Sequence, residues 1–225
     1  MKIIELLNET PLPSDWDSSK FNTSNSFKSI VDYALERSKK IGAGSSRIAF
    51  EVEYEGRPTI LKIAKNEKGL AQNEVESKML SDGYIEKMEL TIPLIDYDTT
   101  NKQPLWIHTE KANKVTEKKL CKLLHCDNLF QLIKMVKSKY KSPSLYAHYY
   151  NELKELNTED ELDDLVDLVD NLYSLSNDFD VALGDFQKLD SWGLYKGKPV
   201  IIDIGLSMTL YDLYYKPVYD LHYKK

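Results

Sequence analysis

The chain has 225 residues, 42% apolar and 29% charged, with a net charge of −6. This is enough for one large domain or two small lobes, with an ordinary globular composition. The acidic balance argues against broad nucleic-acid binding, which needs cationic surface for phosphates, although residues 111–141 are locally basic. No apolar run reaches the length of a membrane span, and MKIIELLNETPLPSDW lacks the apolar core and cleavage site of a signal peptide. Cys121 and Cys126 lie five apart, a poor spacing for a bridge inside a helix, and no CxxC or Cys/His metal pattern exists. A cytoplasmic protein with reduced thiols is expected. The scattered histidines, His108 and His125 among them, read as structural.

In chain order, residues 1–25 are rich in Ser, Asn, Asp and Pro and read as a loose N-terminal extension. SFKSIVDYALERSKK predicts a short helix. RIAFEVEY then alternates Ile48, Phe50, Val52 and Tyr54 against Arg47, Ala49, Glu51 and Glu53, the period of a half-buried strand. EGRP is a turn and TILKIAK the returning strand. EKGLAQNEVESKMLSDG predicts a helix stopping at Gly83, followed by strands over LTIPLIDYD and PLWIHTE. Beyond Thr116 the balance reverses. TEKKLCKLLHCDNLFQLIKMVKSKY has Leu120, Leu123 and Leu124, then Phe130, Ile133 and Val136, at helical spacing. TEDELDDLVDLVDNLYSL opens on a capping box, Thr158 with Glu161, and carries a stripe of Leu162, Leu165, Val166, Val169 and Leu172. Its acids read as a solvated face. The fold class expected is α+β: a small antiparallel sheet with one helix, joined near residue 112 to a mainly helical half.

Several residues carry possible chemistry. Gly42 and Gly44 precede a strand, where glycines let backbone N–H groups approach a phosphate; a plain hairpin turn is the alternative. Lys62 stands mid-strand in ILKIA, either facing solvent or buried with a partner. Glu74, in the next helix, has two possible partners: Lys62, or Lys78 one turn on. GDFQKLDSWGLYKGKPVIIDIGLS places Asp185 and Asp190 before a strand and Asp203 at its end.

The order of GAGSSRIAF, LKIAKNEKGLAQNEVE and WGLYKGKPVIIDIGL resembles the protein-kinase-like superfamily, and within it the short kinase-like proteins of tailed phages, over about residues 40–207. The resemblance implies a two-lobed kinase-like fold: an N-terminal extension at 1–25, an N-lobe and hinge at 26–112, and a helical C-lobe at 113–225 with a truncated C-terminus. It implies ATP and magnesium as cofactors and a host cytoplasm as location. Gly42 and Gly44, with Ser45 beside them, match the phosphate-covering loop. Lys62 matches the lysine on the α- and β-phosphates, and Glu74 the glutamate that orients it. Residues 110–112, with Glu110 and Ala112 at their ends, match the adenine-binding hinge. Asp185 matches the catalytic aspartate. Asp203, eighteen residues on, matches a metal ligand, and Asp190 stands where the family has its metal-binding asparagine, unless alignment on SWG puts Ser191 there.

The chain departs from the family pattern in four places. Arg47 replaces the third glycine, Leu183 the histidine two before Asp185, Asp190 the asparagine, and Ile204 the phenylalanine. Only twenty residues follow Gly205, too few for a peptide-binding platform. The tyrosines of that tail are expected to pack on the helical lobe. The function implied is an ATP- and magnesium-dependent phosphotransferase acting on a hydroxyl-bearing acceptor, a small molecule or a protein. The alternative is an inactive pseudokinase serving as a protein-interaction module. A nucleotidyl-transferring relative would keep the same metal site.

Overall fold

The computed structural model describes residues 12–139 and 141–217. Among these the fold is mixed α+β, with a five-stranded antiparallel sheet, a separate two-stranded hairpin and eight α-helices. The chain divides into two compact units: Met1–Asn73 with Leu94–Lys111, and Glu74–Pro93 with Ala112–Lys225.

The first unit holds α1 (Phe27–Arg37) and strands β1 (Lys39–Ala43), β2 (Arg47–Tyr54), β3 (Arg57–Ala64), β4 (Leu94–Tyr97) and β5 (Trp106–Glu110), in the order β1-β2-β3-β5-β4. β2 runs over the residues whose alternation predicts it. Ile48, Phe50 and Val52 are buried with Leu61 and Ile63 of β3 in the unit's core. The β2–β3 turn is Glu55–Gly56, both at positive φ (51° and 73°), the primed geometry whose twist matches that of two paired strands. Residues 12–25 differ from the loose extension expected there. Leu12, Trp16 and Phe21 are buried in the same core. Trp16 stacks on Phe21 at 5.6 Å, Tyr33 of α1 meets both rings edge-on, and the Asp17 N–H donates to the Tyr33 hydroxyl at 2.6 Å. Polar composition marked a loop; the three large apolar side chains inside it supplied the burial that orders it.

Helix α2 (Glu67–Leu80) ends before the predicted Gly83, because Asp82 caps a new short helix, α3 (Gly83–Lys87), through the N–H groups of Tyr84 and Ile85. The strand predicted over residues 90–98 splits at Pro93. Leu94–Tyr97 joins the five-stranded sheet. In the second unit, the Ile92 N–H donates to the Ile201 carbonyl and the Ile201 N–H to that of Leu90.

The second unit contains α4 (Glu117–Leu123), α5 (Leu129–Ser138), α6 (Pro143–Lys154), α7 (Glu159–Asp178), the hairpin β6 (Trp192–Tyr195) and β7 (Lys198–Ile201), and a short α8 (Met208–Leu210) running into a π-helical turn, Tyr211–Tyr215. The single helical run predicted over residues 116–140 is two helices. α4 stops at Leu124, His125 takes φ +53°, and the Asn128 side chain caps α5 by accepting from the Gln131 N–H. α5 packs on α6 and α7, burying Leu132, Ile133 and Val136 with Leu165, Val169 and Leu172. Asp163, Asp164 and Asp167 are exposed on α7's outer face. In the tail, Leu210 is buried and Leu213 exposed; Val218 lies outside the described residues.

α7 carries its capping box: the Thr158 hydroxyl accepts from the Glu161 N–H while the Glu161 carboxylate accepts from the Thr158 N–H. That bond from the Thr158 backbone, then the one from its hydroxyl, holds the Glu161 carboxyl below its ordinary value. A depressed carboxyl contributes above its unfolded value and loses that contribution as pH falls through its folded one. Acid titration of helicity is expected to show this loss below about pH 4.5 in the wild type, and Glu161→Gln to remove that component. Thr158→Ala is expected to cost about 1 kcal/mol in denaturant unfolding.

Candidate functional site

In the first unit, Lys62 lies in the middle of β3, opposite Ala49 of β2 and Ile107 of β5. It is only 9% exposed, so the solvent-facing alternative does not describe it. A buried ammonium is tolerated where it is paired or hydrogen-bonded. At the end of β5, Glu110 sits opposite Thr59 and accepts an ion pair from Arg57. Lys111 pairs with Glu51 at 2.7 Å, and that bond holds the Glu51 carboxyl low. His108 is fully buried, its Nε2 at 2.7 Å from the Thr59 hydroxyl, a structural position.

Gly42 lies in β1 and Gly44 opens the turn to β2, where its N–H donates to the Arg47 carbonyl at 3.0 Å. Neither glycine has positive φ, and a Cβ on Gly42 would meet nothing within 4 Å. The turn is fastened through its carbonyls. Gly44 O accepts from the Lys65 ammonium at 2.6 Å, Ser45 O from the Asn66 amide at 3.1 Å, and Ser46 O from the Lys65 N–H at 2.8 Å. The buried Ser46 hydroxyl donates to Gln72 and Arg47 to Asn73, both on α2. The glycine that this packing requires is Gly69, which the sequence reading passed over. A Cβ there would run into the Ser46 carbonyl oxygen and lie 3.0 Å from Ala64 Cα. A glycine inside a helical pattern was the available signal.

In the second unit, Glu74 bonds Lys78 at 2.7 Å and stays 35% exposed. Two residues on, Glu76 is fully buried, on the face of α2 that also buries Ser77 and Leu80. Residues two apart on a helix point some 200° apart, so only one of these two carboxylates can face inward. Ala112 packs against β6: a Cβ on Gly193 would fall 2.6 Å from that of Ala112. Asn113 exchanges two 2.8 Å backbone bonds with Leu194.

Residues Leu183–Gln187 and Leu189–Ser191 form two short 3-10 turns that lead into β6, which pairs with β7 through a Lys196–Gly197 turn at positive φ. Leu183, where the family pattern has histidine, is buried, as is Phe186. Asp185 is half-exposed and accepts from the Lys188 ammonium at 2.6 Å. That bond raises the Lys188 pKa, as do the charges of Asp185 and Asp203, against the opposing effect of burial. Lys188 is thus paired with Asp185 and also feels the charge of Asp203. Asp190 and Asp203 are exposed. The Ser191 hydroxyl is occupied by the Asp185 carbonyl at 2.8 Å, and the Trp192 indole donates to the Phe186 carbonyl at 2.9 Å, fixing the loop's shape. Lys188 was missed in the sequence, although a lysine three after a candidate catalytic aspartate was visible.

Among the described residues no group of three or more His, Cys, Asp or Glu side chains converges as a metal cage. Magnesium in phosphoryl-transfer sites takes one or two carboxylates and completes its shell with phosphate oxygens and water. Two exposed aspartates fit an ion that arrives with a nucleotide and do not fit a protein-only site. Among the described residues no helix is long and apolar enough to cross a membrane. The chain matches no protein-family model, and its sequence matches no curated protein.

Gly69→Ala is expected to destabilise the first unit by about 1–3 kcal/mol in chemical denaturation, the usual cost of overpacking. Gly42→Ala should fall within about 0.5 kcal/mol of wild type. In the second unit, Asp185→Asn is expected to lower the Lys188 titration towards its ordinary value, and Asp203→Asn to lower it less, read by NMR of the lysine side chain. A raised lysine pKa contributes stability below its unfolded value and loses it as pH rises through the folded one, so the lysine's contribution should be lost in alkali.

Proposed function

We propose that the protein is an ATP- and magnesium-dependent phosphotransferase of kinase-like design, acting on a hydroxyl acceptor. The observation that carries this reading is Lys188 of one unit, paired with Asp185 and also under the charge of Asp203. It is supported by a buried lysine in the sheet of the other unit and a buried carboxylate in the helix that follows β3. In this reading Lys62 serves the nucleotide phosphates, and Glu76, the inward-facing carboxylate of α2, takes the orienting role that the resemblance gives to Glu74. Gly42, Gly44 and Ser45 cover the phosphates, and the backbone of residues 110–112 meets the base.

Asp185 orients the acceptor hydroxyl and accepts its proton as the oxygen bonds to the γ-phosphorus and the bond to the β-phosphate oxygen breaks. Lys188, stored on Asp185, lies beside the charge that develops on the transferred group. Asp190 and Asp203 would hold magnesium, which supplies neutralisation of the phosphate charge. Positioning and charge compensation provide most of the catalysis in such a reaction, so few side chains are needed.

A second reading, an interaction module without transfer activity, is favoured by the buried Leu183 at the family's histidine position. The two readings separate on Mg-ATP binding and turnover. A melt of the wild type is expected to shift upward with Mg-ATP, by the equivalent of about 2.7 kcal/mol at a hundredfold excess over Kd. Asp203→Asn should lose the magnesium-dependent shift. Asp185→Asn should keep the shift and lose phosphate transfer. Glu76→Gln should weaken turnover more than Glu74→Gln. A wild type with neither shift nor transfer would sink the enzyme reading in favour of the module.

A further inference from the structure

The break between α4 and α5 has a chemical consequence. α4 ends in a two-bond cap: the Leu124 N–H donates to the Leu120 carbonyl at 2.9 Å, and the Cys126 N–H reaches back to the Cys121 carbonyl at 3.0 Å. His125, between them, takes the left-handed conformation at φ +53°. The bond from residue 126 to residue 121, around a left-handed residue, is the 6→1 closure of a Schellman motif. That closure commonly sets the side chains of its first and last residues against each other. Here those two residues are both cysteines. A spacing of five, unfavourable along a continuous helix, becomes a contact when the helix turns back on itself.

The two thiols are unoxidised and buried, 5% and 9% exposed. The Asn157 amide donates to the His125 carbonyl at 3.1 Å, which fastens the turn to the segment between α6 and α7. His125 also lies 3.7 Å from both Glu161 and Asp164 of α7. The motif's backbone is therefore held from both sides.

We propose that Cys121 and Cys126 are a dithiol pair that closes to an intramolecular disulfide in the folded protein. The inference is independent of the phosphotransferase reading. The oxidant is a small-molecule disulfide such as oxidised glutathione. The Cys121 thiolate attacks one sulfur of the oxidant and releases one glutathione thiol, leaving a mixed disulfide. The Cys126 thiolate then attacks Cys121 Sγ and releases the second. Two protein thiols give up two electrons and two protons, and one small disulfide becomes two thiols. Burial raises both thiols and Cys126 the more strongly, so Cys121 is the first nucleophile. The raised values keep the pair inert at rest and make closure depend on oxidant and on local opening of the turn.

The test is to incubate the native full-length chain with excess oxidised glutathione, quench with an alkylating agent, digest with trypsin and weigh the peptides. Cleavage at Lys122 separates the two cysteines into LCK and LLHCDNLFQLIK. The expected product is these two peptides joined and lighter by two hydrogens, formed without denaturant and reversed by dithiothreitol. Cys126→Ser should accumulate one glutathione on Cys121, and Cys121→Ser should react more slowly. Overturning results are a wild type that carries separate glutathione adducts on both cysteines, a cross-link that forms only in denaturant, or alkylated thiols with no cross-link after long exposure.

Discussion

The buried carboxylate of Asp98 is the constraint on which the small sheet depends. It accepts from the N–H and hydroxyl of Thr100, from the side-chain amide of Asn101 at 2.7 Å and from the Leu105 N–H at 2.8 Å. A carboxylate removed from water must be compensated in this way or it destabilises the fold. The result is a fixed shape for the whole β4–β5 connection. β5 lies between β4 and β3, so this loop sets the register of the strand that faces Lys62. The same loop reaches outward: the Asn101 amide donates to the Phe21 carbonyl, and its oxygen accepts from the Thr23 N–H. A loop of polar residues thereby ties the N-terminal segment to the sheet.

Helix α2 is held by the same kind of satisfaction. The Asn73 side-chain amide, fully buried, donates to the carbonyls of Pro104 and Leu105 at 3.0 Å each, and its oxygen accepts from Arg47. Gly69 allows the first turn of the helix to lie on the Ser46 carbonyl. Together these contacts connect the β1–β2 turn, the β3–α2 junction and the loop ordered by Asp98. The glycine-bearing turn thus belongs to a rigid frame through its carbonyls.

The loop around Asp185 follows a related economy. Its backbone is shaped by bonds to other side chains, Ser191 and Trp192. Asp185 and Lys188 are left to bond each other, and Asp190 and Asp203 face solvent. The bonds that shape this loop are thus made by groups other than these four charged side chains.

Patterns that depend on near neighbours were legible in the sequence. The alternation of Ile48, Phe50 and Val52 specifies β2, because side chains on a strand alternate whatever packs against them. Thr158 and Glu161 specify the start of α7, because both bonds of the box lie within one turn. Gly56 marks the tight turn between β2 and β3, where the chain needs positive φ. The break between α4 and α5 was not read from the run 116–140, whose apolar residues keep helical spacing on both sides of it. Choices that depend on distant residues were decided only by tertiary structure. The sequence reading named only Glu74 on α2; that Glu76 is the buried carboxylate there is decided by packing against other elements. Leu12, Trp16 and Phe21 sit in polar sequence, and only Tyr33 and the sheet core give them a place. Cys121 and Cys126 are five positions apart in any reading of the chain. Whether they touch depends on one left-handed residue and on the Asn157 side chain that holds its carbonyl, a contact made across thirty-two positions that no local pattern encodes.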